Sequence, residues 1–215
     1  MIHSHSFTFN PFQENTYVIY SDSGNCVIID PGCYEVSEKK ELVAFIAEKK
    51  LKPSQVWLTH AHIDHVLGLK FCCGHFGIKA LIHPLEIPQL KAVEVYAPNY
   101  GFYDFEPTDK LEILDISNPL SIDTEMFELL FVPGHAPGHV AFHHIESAQV
   151  WAGDVLFRQS IGRTDLPGGN FQVLEQSIQN ELYTLPSETA VYPGHGPSTT
   201  IGFERQNNPF VKPIV

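Results

Sequence analysis

Val56-Trp57-Leu58-Thr59-His60-Ala61-His62-Ile63-Asp64-His65 is an apolar run that ends in three imidazoles and one carboxylate. Nothing else in the chain concentrates metal donors so tightly. Imidazole nitrogen and carboxylate oxygen hold zinc, or iron and manganese in a mixed site, and a neutral His is available at physiological pH. On a helix, His60 and His62 would point about 200° apart, at roughly 100° per residue, and could not share an ion. A loop leaving a strand end brings them together. From Asp64 the text Asp-His-Val-Leu-Gly-Leu-Lys-Phe reads as a helix running to about Gly77, with Asp64 and His65 at its N-terminus. The stretch is therefore predicted to serve two adjacent metals, one on His60 and His62 and one on Asp64 and His65. The alternative, a polar turn with its histidines in water, suits one or two histidines and not this density.

The rest of the chain sets the context. Its 215 residues suffice for one substantial core, and no Gly/Ser/Pro-rich linker or charged run divides them, so a single domain over 1–215 is expected. Hydrophobic content of 43% with 18% charged residues describes a globular chain rather than a disordered one. The N-terminus Met1-Ile2-His3-Ser4-His5-Ser6 lacks a basic region followed by an apolar core, and no long apolar stretch follows, so neither export nor membrane insertion is indicated. Four cysteines stand at 26, 33, 72 and 73, and a bond between the neighbours Cys72 and Cys73 would be strained. Reduced thiols in the cytoplasm are expected. A formal net charge of −12 repels phosphate backbones, so the partner is a small molecule rather than nucleic acid.

Strands are predicted at Ser6–Phe9, Asn15–Ser21 and Cys26–Asp30, the last stopped by Pro31-Gly32. Asp30 is then either a partner that orients the ligand loop or a turn acid. A helix is expected over Ser37–Lys50 with Ser37 as cap and Leu42, Phe45 and Ile46 on one face, then a strand at 55–59. After the ligand stretch come a strand at 78–82 and a helix at 85–95. His75 and His83 have no neighbouring donor and read as surface or hydrogen-bonded. The aromatic run 96–105 suits a loop packed on the core or one covering an apolar site.

Three further strands end on donors. The strand Met126–Val132 runs into Pro133-Gly134-His135-Ala136-Pro137-Gly138-His139, where His135 is the expected ligand and His139 either faces the metals or supports its loop. His143 and His144 alternate in the strand 140–145 and read as structural. The strand 149–153 ends at Asp154, the one acid placed to bridge two metals. The loop 157–170 carries two Arg, and Asn170 is expected to cap a helix reaching about Thr184. Finally Thr189–Tyr192 runs into Pro193-Gly194-His195-Gly196.

In the order His60-x-His62-x-Asp64-His65, His135, Asp154, His195, the chain resembles the metallo-β-lactamase superfamily over almost its full length. The resemblance implies an α/β fold, a four-layer αβ/βα sandwich of two mixed β-sheets. It implies a dinuclear site as well, with His60, His62 and His135 on one metal, Asp64, His65 and His195 on the other, and Asp154 bridging. Asp at 154 rather than Cys is unlike the secreted β-lactamases. Gly162-Arg163-Thr164-Asp165 and Gly194-His195-Gly196-Pro197-Ser198-Thr199-Thr200 resemble the small glyoxalase II-like hydrolases instead. Two departures bear on substrate. The helical C-terminal domain of full-length glyoxalase II enzymes has no counterpart here, and the aromatic usual two positions after Arg163 is Asp165. Arg163 either binds a glutathione carboxylate or pairs with Asp165.

Two divalent ions, zinc before iron or manganese, roughly 3.5–4 Å apart would lower the pKa of a shared water from 15.7 toward about 7, giving a hydroxide nucleophile that Asp64 helps to orient. A thiolate leaving group needs little acid assistance, which suits a site with no evident general acid. The expected activity is hydrolysis of S-acyl glutathione such as S-lactoylglutathione. A lactonase or a glutathione persulfide dioxygenase would use the same site; a nuclease or a non-hydrolytic metal or redox module fits the charge and the domain content less well.

Overall fold

β-Branched and aromatic residues dominate the opening strands of the computed structural model, which describes residues 1–214. β1 (Ile2–Phe9), β2 (Glu14–Ser21) and β3 (Asn25–Ile29) form an antiparallel meander, and β4 (Lys52–Trp57), β5 (Lys79–Ile82) and β6 (Leu111–Ile113) extend it in parallel. Parallel pairing needs crossovers, and helices supply them: α1 (Val36–Glu48) between β3 and β4, α2 (Ile63–Val66) and α3 (Leu69–His75) between β4 and β5, α4 (Ile87–Tyr96) before β6. Helices cover one face of the central strands, where Ile28, Val56, Ala80 and Ile82 cluster with Leu42, Ile46 and Val66, and on the other face Val27 and Trp57 expose nothing either.

The second sheet has the order β14-β13-β10-β9-β8-β7, built from β7 (Leu120–Ile122), β8 (Glu125–Phe131), β9 (Val140–His144), β10 (Gln149–Gly153), β13 (Ala190–Pro193) and β14 (Thr199–Thr200). It is also mixed, since β10 runs parallel to β13 while β8, β9 and β10 alternate. β11 (Leu156–Phe157) and β12 (Ser160–Ile161) make a separate hairpin, and α5 (Phe171–Ser177) and α6 (Ile201–Asn207) complete the chain. The Cα positions cluster into two compact units, Met1–Leu114 with Ile122–Glu125, and Asp115–Ser121 with Met126–Val215. Each has its own apolar cluster, around Val18, Ile28, Leu42 and Val56 in the first and around Val150, Leu174, Ile178 and Val191 in the second.

Several boundaries differ from the sequence expectations, each for a local reason. The first helix starts one residue earlier than Ser37, because the Glu38 carboxylate accepts from the N–H groups of Tyr34 and Glu35 and so does the capping. The helix expected from Asp64 to Gly77 is two helices. Gly68 N–H turns to Pro31 O at 2.8 Å, and a Cβ at Gly68 would lie 2.4 Å from Cys33 Sγ, so this glycine is where the chain passes close to the Pro31–Cys33 loop. β4 begins at Lys52 and includes Pro53, at the edge of a register shift against β3. Asn170 caps α5 as expected, its Oδ1 accepting from Val173 N–H at 3.1 Å. All four cysteines are buried free thiols. Among the described residues no helix is long and apolar enough to cross a membrane.

Candidate metal centre

In the first unit the donors lie on the loop between β4 and α2. The rings of His60 and His62 stand 4.8 Å apart between centroids and those of His60 and His65 4.1 Å, while His65 Nε2 lies 3.7 Å from Asp64 Oδ2. Asp30 organises them. It sits just past β3 in the left-handed region at φ 47°, almost fully buried, and its Oδ1 accepts from Thr59 N–H at 2.7 Å. Its Oδ2 accepts from the Thr59 hydroxyl at 2.5 Å and faces His65 Nδ1 at 3.1 Å. Because the Thr59 proton goes to Asp30, the 2.9 Å contact of Thr59 Oγ1 with His60 Nδ1 has the ring donating. Both imidazoles thus carry their proton on Nδ1 and present Nε2 as a lone pair, the arrangement that orients metal-binding histidines. Although Asp30, His60 and His65 offer donor atoms within 4.8 Å of one another, the Asp30 oxygens are engaged by Thr59 and the outer nitrogen of His65. Asp30 is a support, not a ligand.

His62 is held differently. Its Nε2 meets the Gln89 amide at 3.1 Å, and either orientation of that amide engages Nε2. Gln89 lies on α4, and just before that helix the buried Glu86 accepts from Ala61 N–H at 2.8 Å. Tyr96, at the end of α4, hydrogen-bonds the backbone of Ile63, and burial first of all pushes its phenol up to about 12. From the β1–β2 turn, Asn10 Nδ2 donates to Asp64 O and to Gly32 O, each at 3.0 Å. Sequence reasoning missed Asn10, Glu86, Gln89 and Tyr96. A carboxylate between Leu85 and Ile87 was the available signal, since an acid in an apolar run is rarely buried without a partner.

The donors of the second unit come from three strand ends. Gly134 has φ 126°, and a Cβ there would lie 2.2 Å from Leu174 N, so only glycine carries the turn after β8 past α5. That turn sets His135 with Nδ1 against Arg163 O at 2.8 Å and Nε2 3.6 Å from Asp154 Oδ2. His195, after β13, points its Nε2 at the same oxygen from 3.5 Å. His139 Nε2 accepts from Asp154 N–H at 3.1 Å, so it supports the loop. Three further histidines meet chain partners: His143 is buried beside Glu128, His144 bonds Ser147, and His83 accepts from Leu85 N–H. The Arg163 side chain is exposed and makes two parallel bonds of 2.7 Å to Asp165, whose carboxyl is drawn down to about 2 by that guanidinium.

This donor set fits divalent ions on its own chemistry. Buried His60, His65 and His135 have Nδ1 against a chain oxygen and present Nε2 inward, and in the second unit His135 and the half-buried His195 approach one Asp154 oxygen at separations beyond the 2.7–3.2 Å of a direct N–H···O bond.

Comparison with known proteins agrees. The chain belongs to the metallo-beta-lactamase superfamily, whose family model matches residues 9–195. Its fold is that of the family, two mixed sheets flanked by helices, and by class it is a metallo-hydrolase. It is 36% identical over 213 residues to the hydroxyacylglutathione hydrolase GloC of Haemophilus influenzae, covering 93% of each chain. A structure called TTHA1623, solved in a di-iron-bound form, is 39% identical with a TM-score of 0.85 over 96% of this chain and 100% of that one. BLEG-1, titled a B3 metallo-beta-lactamase, is 36% identical with a TM-score of 0.83 over 97% and 99%.

Proposed function

We propose that the protein is a cytoplasmic, single-domain thioester hydrolase acting on S-acyl glutathione, such as S-lactoylglutathione. The observation that supports the metal centre behind this reading is the contact pattern of the donors: His60, His65 and His135 each have Nδ1 within hydrogen-bond distance of a chain oxygen, which turns Nε2 toward the place an ion would take. In this reading His60, His62 and His135 would hold one divalent ion, Asp64, His65 and His195 would hold a second, and Asp154 would serve both. Zinc is the expected metal, with iron or manganese as substitutes; the di-iron form of a relative supports room for two ions. Bound there, the ions supply an acidified water and a Lewis acid for the thioester carbonyl.

The chain's own contribution is placement. Asp64, with its carbonyl fixed by Asn10, orients the attacking water. Asp30 and the Arg163 carbonyl keep the outer ring nitrogens protonated, and Gln89 holds the His62 ring. Arg163 offers an exposed guanidinium for a glutathione carboxylate, after release from Asp165. GloC supports the thioester, while BLEG-1 favours a second reading, β-lactam hydrolysis, on the same donors. The deciding experiment is elemental analysis beside a panel of S-lactoylglutathione, an uncharged thioester, a lactone, a β-lactam and glutathione persulfide. About two metals per chain and fastest turnover of the glutathione thioester are expected. One iron with oxygen consumption on the persulfide would replace the reading by a dioxygenase, and fastest turnover of the β-lactam by a lactamase.

A further inference from the structure

The hairpin of β11 and β12 has its two feet in the second donor set. Asp154 lies two residues before β11, and Gly162 and Arg163 follow β12 directly. Gly162 N–H closes the base on Val155 O at 3.2 Å, a Cβ at Gly162 would lie 1.9 Å from Asp154 O, and Arg163 O holds His135. Phe157 in β11 sets its ring edge-on to His195 at 6.2 Å. The hairpin therefore touches all three donors of this unit, and what fixes its tip fixes their spacing.

The tip is fixed from α6. Leu156 pairs with Ile161 and Phe157 with Ser160, so Arg158 and Gln159 form a two-residue turn, with Gln159 at φ 55°. Glu204 on α6 exposes nothing, yet its carboxylate reaches this turn: Oε2 accepts from Gln159 N–H at 3.0 Å and from Asn208 Nδ2 at 2.9 Å, and Oε1 from the Thr199 hydroxyl at 2.5 Å. Asn208, also fully buried, donates to Ser160 O at 3.1 Å. Arg158 lies over the Phe203 ring at 4.6 Å from the same helix. A buried acid is costly unless every lone pair finds a donor, and this one spends a backbone N–H of the turn to do so.

We infer that Glu204 is a positioning residue of the metal centre: by clamping the β11–β12 turn to α6 it sets Asp154 and the His135 support at the separation the ions require. The inference rests on the proposed metal centre. Its test uses the full chain loaded with zinc and titrated with a chelator, reading zinc retained per folded protein, with folding followed by circular dichroism at the same temperature. Glu204→Ala should release zinc at about tenfold lower chelator, within the range found when outer partners of metal ligands are lost, and should lower kcat on the thioester with KM nearly unchanged. Glu204→Gln should restore most of the retention, because its amide oxygen still accepts from Gln159 and the Thr199 hydroxyl can turn to accept from its nitrogen. Glu204→Ala that melts earlier but, while folded, holds zinc and turns over like the parent overturns the inference and leaves Glu204 a fold residue. Should that variant not fold, the exposed Arg158→Ala decides: about threefold earlier release supports the clamp, and no change overturns it. If the parent chain itself retains no zinc, the proposed metal centre fails, a result distinct from both.

Discussion

The two units of the chain assemble donors by opposite strategies. In the first, His60, His62, Asp64 and His65 lie within six consecutive positions, and their support comes from far along the sequence: Asn10, Asp30, Glu86 and Gln89. In the second, His135, Asp154 and His195 lie up to 60 positions apart and arrive on three strand ends, while their support comes from residues that follow another donor of the same set: His139 after His135, and Gly162 and Arg163 after Asp154. Clustered donors make the loop recognisable but require outside props to aim four side chains from one short segment. Dispersed donors are aimed by the sheet itself, because neighbouring strands fix where each turn begins.

The strongest test removes the residue on which the second set converges. Asp154→Ala should abolish turnover and lower the content of both metals, measured by elemental analysis; a variant with normal metal and turnover would sink the bridging assignment. Next is the prop of the first set. Asp30→Ala takes the acceptor from Thr59 and His65 together, so metal affinity should fall about 10–100-fold, and the thermal midpoint should drop as expected for roughly 3 kcal/mol lost with one member of a buried polar pair. If competition titration shows unchanged affinity, the tautomer argument for His60 and His65 is wrong.

Gln89→Ala probes a single ring. Because it frees His62 alone, about tenfold loss of affinity is expected, with little change in stability. A loss as large as that from Asp30 would mean that α4, rather than β3, governs the loop.

How much of this was readable beforehand follows the same division. The first donor set was legible as a string, and so were the strands that stop on His135, Asp154 and His195, since each ends in a Gly-bearing turn. Asp30 stayed ambiguous because a carboxylate at a strand end reads alike whether it faces water or Thr59. The break at Gly68 was hidden by a helix-compatible sequence; the approach of Pro31 and Cys33 makes a side chain intolerable there. Residues 157–161 of the hairpin read as loop because strands of two residues carry no periodicity, and nothing in the local sequence marked Glu204 for a role. Props set by distant contacts leave no local pattern.

Arg163 gives an effect confined to one substrate and the sharpest separation of substrates. Arg163→Ala should raise KM for S-lactoylglutathione about tenfold, roughly 1.4 kcal/mol, with an uncharged thioester little affected. Equal losses on both would assign the residue to its Asp165 pair. The same variant should let the Asp165 carboxyl titrate upward from about 2 toward its ordinary 3.8, read by NMR. A depressed carboxyl stabilises above its unfolded value and the contribution fades as pH falls from about 4 through about 2, but this pair is fully exposed, so stability near neutral pH should scarcely change.

The four thiols carry a consequence of another kind. All are in the first unit and buried, and burial pushes Cys26 up to about 12 and Cys73 up to about 11. At pH 7 a thiol of pKa 11 is ionised in only about one molecule in ten thousand, so closed protein offers alkylating reagents almost nothing to attack. Labelling then proceeds through opened molecules, and four internal sulfurs become a stopwatch for how often that half of the chain unfastens. Added zinc that stops the watch would report, without any substrate, that the ions bolt the ligand loop shut.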